Sequence, residues 1–142
     1  MDDVMERALD LWQAPVPEGD AGVARFRTVY TDPVTVNGTP TDLVVLVERA
    51  RMLQRCFDTV GHEVDAWFAT DGRCAFSFRL FGRQVGPLAT PLGEVAPTGR
   101  RLEAHGMDIF EIADGRVRGI WAILDWLDLL TQAGAVALSH GG

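Results

Sequence analysis

Two Asp-Gly pairs, Asp71-Gly72 and Asp114-Gly115, each lie between segments of alternating apolar residues, and they constrain this chain more than any other feature. Such a pair suits a two-residue hairpin turn, where the backbone must adopt positive φ. The first joins residues 62–70, with Val64, Ala66 and Phe68 expected on one face, to residues 74–84. The second joins 100–112 to 116–124. The second half therefore reads as antiparallel sheet. The first half reads as helices. Val4, Met5, Ala8, Leu9 and Trp12 recur at helical spacing over 2–14, and Pro15 and Pro17 stop that run. Asp20 caps a shorter helix through Val23, Phe26 and Arg27, and Tyr30 begins an extended stretch ending in the Asn37-Gly38 turn. Thr41 or Asp42 caps a longer helix with Leu43, Leu46, Val47, Ala50, Leu53 and Phe57 as its apolar stripe, ended by Gly61. A last short helix spans 125–133. Helices followed by antiparallel strands predict an α+β class in one domain over 1–142, with N-terminal helices packed on a curved sheet. The Pro- and Gly-rich connection between Gly86 and Arg100 is long for a compact domain and reads as a lid, a binding loop or a mobile segment.

Composition removes whole classes of function. The net charge of −7 and the isoelectric point near 4.8 exclude a nucleic-acid partner, whose phosphates need a basic surface. All thirteen basic residues are arginine, so no lysine Schiff base, pyridoxal phosphate anchor or P-loop lysine exists here. No apolar run approaches the ~20 residues of a membrane span. The acidic start, Met1-Asp2-Asp3, does not resemble a secretory signal, and the cytoplasm is the expected location. Cys56 and Cys74 lack metal spacing and sit in apolar stretches, so buried free thiols are expected. Zinc, EF-hand, Rossmann and nucleophile-elbow patterns are absent, and no metal is expected.

Asp108 is the leading candidate for chemistry. On its strand face it shares a row with Leu102, Ala104, Gly106, Phe110 and Ile112. A carboxylate in an apolar row is costly unless it is paired or used. Either it bonds a neighbouring Arg, Trp N–H or backbone amide, or its raised pKa serves as a general acid or base. Gly106 on the same face leaves space for a ligand. Asp32, held extended by Pro33, either turns inward as a second carboxylate or caps a turn. His105 falls on the opposite face with Glu103 and Met107, and Arg79 falls with Ser77 on a solvated face. Trp12, Trp67, Trp121 and Trp126 are expected mostly in the core, with one or two lining a pocket. The last strand is apolar on both faces: Ile120, Ala122 and Leu124 alternate with Trp121 and Ile123. The second set, extended by Met107 and Ile109, predicts a homodimer formed through the sheet.

The run Pro97-Thr98-Gly99-Arg100-Arg101, then Asp108-Ile109-Phe110-Glu111-Ile112-Ala113-Asp114-Gly115-Arg116-Val117, then 121–134, resembles the SnoaL-like polyketide cyclases of the nuclear transport factor 2-like superfamily. Leu80-Phe81-Gly82-Arg83-Gln84-Val85-Gly86 and Tyr30-Thr31-Asp32-Pro33 are similar to further segments of that family. The resemblance implies a cone-shaped apolar pocket, a dimer through the sheets, a polyketide-like substrate and no metal or organic cofactor. Those cyclases close a ring by an intramolecular aldol reaction, using an aspartate on the last strand. Ala122 stands at that position here, Asp108 at the place of a histidine, Asp32 at that of an asparagine and Gln84 at that of another histidine. Asp108, exchanging the proton, and Asp32, orienting or assisting, are the expected catalytic residues. The expected substrate contacts are Tyr30, Trp67, Phe78 and Gln84, together with Gly106, Phe110, Ile120 and Ala122. The expected activity is cyclisation or isomerisation of a small molecule of secondary metabolism. Epoxide opening or hydration, and a non-catalytic binding or partner subunit, are the alternatives.

Overall fold

A computed structural model of the chain describes residues 3–136, 138 and 139. Its first helix, α1 (Asp3–Gln13), follows the expected stripe and buries Val4, Met5, Ala8, Leu9 and Leu11; Asp2, its expected first residue, lies outside the described residues. Helix α2 (Asp20–Arg27) buries Phe26, and α3 (Leu43–Cys56) buries Leu43, Leu46, Val47, Ala50 and Cys56. Asp42 occupies the N-cap of α3 without a side-chain cap bond. The C-terminal α4 (Trp126–Gln132) is capped by Asp125, whose side chain accepts the Asp128 N–H.

Strands β1 (Tyr30–Val36) and β2 (Thr39–Thr41) form a hairpin, followed after α3 by β3 (Gly61–Thr70) and β4 (Arg73–Arg83). The short pair β5 (Leu88–Thr90) and β6 (Gly93–Val95) precedes the long β7 (Arg101–Ala113) and β8 (Arg116–Leu124). Six strands form one sheet in the order β2-β1-β8-β7-β4-β3, antiparallel except where β1 runs parallel to β8. Turn chemistry explains the hairpins. Asn37 and Gly38 (φ 49° and 85°) and Asp114 and Gly115 (φ 54° and 74°) have both central residues left-handed, while at the Asp71-Gly72 turn it is Gly72 (φ 73°).

The alternation expected for Val64, Ala66 and Phe68 does not hold on one face. Pairing shifts between Val64, opposite Phe78, and Ala66, opposite Ser77, so Asp65 is an extra, bulged residue. Beyond it the faces exchange: Val64 packs against the core and Phe68 is exposed.

Helices α1–α3 cover the inward face of the sheet around Phe26, Tyr30, Val34, Phe76, Phe110 and Ile120. A second cluster gathers Phe57, Leu88, Leu102 and Leu129 beneath α4. Cys56 and Cys74 are buried thiols outside any disulfide, as expected, and burial pushes the Cys56 thiol up to about 11. The outward face carries an ion cluster in which Arg79 bonds Glu63, Asp65 (2.9 Å) and Glu103 (3.5 Å), with His105 beside Glu103 at 3.3 Å. Both Arg79 and His105 thus take the solvated face their parity predicts.

The 86–100 connection carries the β5–β6 hairpin and is tied down by one amide. Gln84 is 0% exposed; its Nε2 donates to the carbonyls of Gly86 (3.1 Å), Val95 (3.3 Å) and Ala96 (3.2 Å). Its Oε1 accepts from the Thr98 N–H (3.2 Å) and hydroxyl (2.7 Å).

Candidate functional site: an apolar cavity with one buried carboxyl

Between the helices and the inward sheet face lies a cavity of about 780 Å³. Helix α1 contributes Ala8, Leu9 and Trp12, α3 contributes Leu46, Arg49, Met52, Leu53 and Cys56, and the β5–β6 hairpin closes one side with residues 87–91. The sheet contributes Tyr30, Phe76, Phe78, Asp108, Phe110, Ile120 and Ala122. Among the described lining residues only Asp108 and Arg49 carry formal charges.

The register explains why Asp108 points inward. It stands between Phe76 of β4 and Ala122 of β8, and two residues further along β7 Phe110 faces the same way. Burial pushes the Asp108 carboxyl up to about 7, because the hollow offers little to solvate a negative charge. No hydrogen bond or ion pair from a described residue reaches it, so pairing with an Arg, a Trp N–H or a backbone amide is not what keeps it there. At neutral pH such a group is divided between acid and base forms.

Tyr30 is the second polar group of the hollow. Its hydroxyl oxygen accepts the Trp12 indole N–H at 3.0 Å, and its ring stacks on Phe26 with centroids 5.9 Å apart. With the oxygen engaged as acceptor, the phenol proton remains to be donated. Burial, with the charge of Asp108 adding to it, holds the phenol well above its ordinary pKa, so it is a neutral donor. Asn37, just past the end of β1, is tied to β8: its Oδ1 accepts the Ala122 N–H at 2.8 Å and its Nδ2 donates to the Ala122 carbonyl at 3.2 Å.

Of the expected contacts, Tyr30, Phe78, Phe110, Ile120 and Ala122 line the cavity with Asp108. Four others are placed elsewhere. Asp32 does not border the hollow: its Oδ1 accepts the Leu43 N–H at 3.0 Å, capping α3 in place of Asp42, and its Oδ2 faces Arg27 at 3.4 Å. Trp67 shares the inward face with Phe76 but lies on an outer strand, exposed and away from the cavity. Gln84 is consumed by the 86–100 connection. The space at Gly106 is filled by the protein, since a Cβ there would stand 2.6 Å from Phe78 Cζ. Sequence reasoning missed Arg49, Asn37 and the part of Trp12. Arg49 had a signal: it lies three residues after Leu46 and four before Leu53, on the border of the α3 stripe.

The fold agrees with that of similar proteins. TsrD from Streptomyces laurentii superposes with a TM-score of 0.75 at 22% identity, covering 96% of this chain and 99% of that one. A SnoaL-like polyketide cyclase from Agrobacterium tumefaciens superposes with a TM-score of 0.68 at 16% identity, covering 93% of this chain and 98% of that one. At these identities the likeness establishes the fold, the nuclear transport factor 2-like cone. No curated protein matches the chain by sequence. The profile of the SnoaL-like polyketide cyclases matches residues 3–133, and the chain belongs to that family.

Proposed function

We propose that the chain is a cofactor-independent cyclase or isomerase acting on a polyketide-like substrate, with Asp108 exchanging the proton and Tyr30 donating a hydrogen bond to the substrate oxygen. The observation that carries this is the Asp108 carboxyl inside an apolar hollow, without a hydrogen-bonding or ionic partner among the described residues, its pKa raised to about 7. Leaving such a group uncompensated costs stability, and catalysis is the return that cost can have. In the ionised form it removes a proton from carbon next to a carbonyl. The electron pair moves onto the enolate oxygen, where the Tyr30 hydroxyl donates, and the enolate carbon then attacks a second carbonyl to form the ring bond. The alkoxide so formed takes up the proton. The aromatic walls hold the chain folded, and proximity of this kind lowers a barrier by several kcal/mol.

The contrast at Ala122 supports Asp108 as the working group, since the methyl at the last-strand position exchanges no proton. Asp32 has no part in this reading, because its carboxylate caps α3. Epoxide opening by paired carboxylates is correspondingly weakened: the hollow offers one carboxyl among its described lining residues.

The same reading places the protein in the cytoplasm, where its two thiols stay reduced. No helix among the described residues is long and apolar enough to cross a membrane. It also makes the protein a homodimer. Across the outward sheet face, Phe68, Ala75, Ile109 and Trp121 fall in one register row, and Ala66, Ser77, Met107 and Ile123 fall in the next. Met107 is 66% and Ile123 77% exposed, an apolar surface that a second copy would bury.

Replacing Asp108 with Asn tests the function. Conversion of a linear polyketide precursor, followed by mass spectrometry, should fall by roughly 10²–10⁴. Unchanged turnover would remove Asp108 from the mechanism.

A further inference from the structure

The cavity has a second charge that this mechanism does not use. Arg49 borders the hollow from α3, and no carboxylate or carbonyl among the described residues bonds it. Its neighbour Glu48 is already engaged by Arg51 (2.5 Å) and Arg55 (3.8 Å). One helical turn to either side stand Val45 and Met52, both exposed, and Arg49 is itself exposed at the edge of the hollow. The residues that the β5–β6 hairpin region lends to the lining, 87–91, are all neutral. Arg49 and Asp108 form no ion pair with each other, so positive charge marks the rim and the titrating carboxyl lies within.

A cation with no hydrogen-bonding or ionic partner among the described residues, beside an apolar hollow in a chain of net charge −7, is where an anionic group of a ligand gains most. The planar guanidinium fork matches a carboxylate with two parallel N–H···O bonds. We propose that Arg49 is the specificity-determining residue of the cavity and selects an apolar carboxylic acid, held with its carboxylate at the rim and its carbon skeleton running in toward Asp108. The arrangement also keeps the ligand's own negative charge away from Asp108, whose proton exchange it would otherwise disturb. This inference rests on the reading of the cavity as a substrate site.

The test uses an anthracene carboxylic acid and its methyl ester as fluorescent probes on the full chain. The wild type should bind the acid at least about fivefold more tightly than the ester at low salt, with the preference shrinking as salt rises. Arg49→Gln should bring the two affinities together by weakening the acid and leaving the ester unchanged. Arg49→Lys, which keeps the charge and loses the fork, should fall between them. Equal binding of acid and ester by the wild type, or a preference that survives Arg49→Gln, would overturn the assignment. Asp108→Asn separates this idea from the catalytic one, because it should keep the acid preference whether or not it loses turnover. If neither probe binds, the substrate-site reading fails and this inference falls with it.

Discussion

The indole N–H of Trp12 on α1 donates to the Tyr30 hydroxyl at the start of β1, across 3.0 Å. One bond thereby links the helical layer to the sheet and sets the direction of the phenol proton. Trp12→Phe keeps the packing against Phe26 and leaves the Tyr30 oxygen without its donor. It should cost about 1 kcal/mol of stability. Under the proposed mechanism it should lower kcat more than it changes KM; steady-state kinetics beside urea denaturation check both.

The raised pKa of Asp108 makes stability depend on pH in a direction that can be worked out. Between the ordinary carboxyl value of 3.8 and about 7, the folded chain holds a proton there that the unfolded chain has released. Its contribution is therefore fully present below 3.8 and is lost as pH rises through about 7. The loss amounts to at most about 4 kcal/mol. Asp108→Asn, neutral throughout, should be the more stable protein at pH 8 and should lack this decline. Urea unfolding of both proteins from pH 5 to 8 isolates the difference from the other carboxylates.

Gly106 and Phe78 are fitted to each other, and Gly106→Ala should show it. The added methyl forces the Phe78 ring toward the cavity, and overpacking of this kind costs about 1–3 kcal/mol. The double change with Phe78→Leu should recover much of the loss. Thermal unfolding of the two variants checks it; equal stability of wild type and Gly106→Ala would mean that the ring moves freely.

Ile123→Glu places a charge in the outward apolar rows without touching the α1–α3 core. If a second copy covers that face, the variant should sediment as a monomer where the wild type is a dimer, and its unfolding should lose its dependence on protein concentration. Analytical ultracentrifugation at micromolar concentration decides it.

The elements were legible because each has a local cause: period-3.6 stripes in α1 and α3, alternation in β7 and β8, and turn pairs at Asn37, Asp71 and Asp114. Strand parity also sent Asp108 inward and Arg79 and His105 outward. It failed at Val64, Ala66 and Phe68, where the bulged Asp65 inserts a residue that no alternating pattern announces. Asp32 could not be read because its partner, the Leu43 N–H, lies eleven residues on and meets it only once β1 packs against α3. Gln84 stood where the family resemblance implies a pocket, and Gly106 on the strand face that carries Asp108. Their roles depend on who occupies the neighbouring space, the 86–100 connection in one case and the Phe78 ring in the other. Arg49 went unnoticed because an arginine on a helix usually means a wet surface, and only the cavity beside it gives it another meaning.

The bulge at Asp65 has a counterpart at the far margin of the sheet, where the three-residue β2 contains Pro40. Both open margins are thus poor templates for recruiting a foreign β-strand: one has its hydrogen-bonding ladder interrupted by a charged insertion, and the other is short and lacks an amide proton at Pro40. Self-association by strand addition, the route toward fibrils, is disfavoured at either end of the six-stranded sheet.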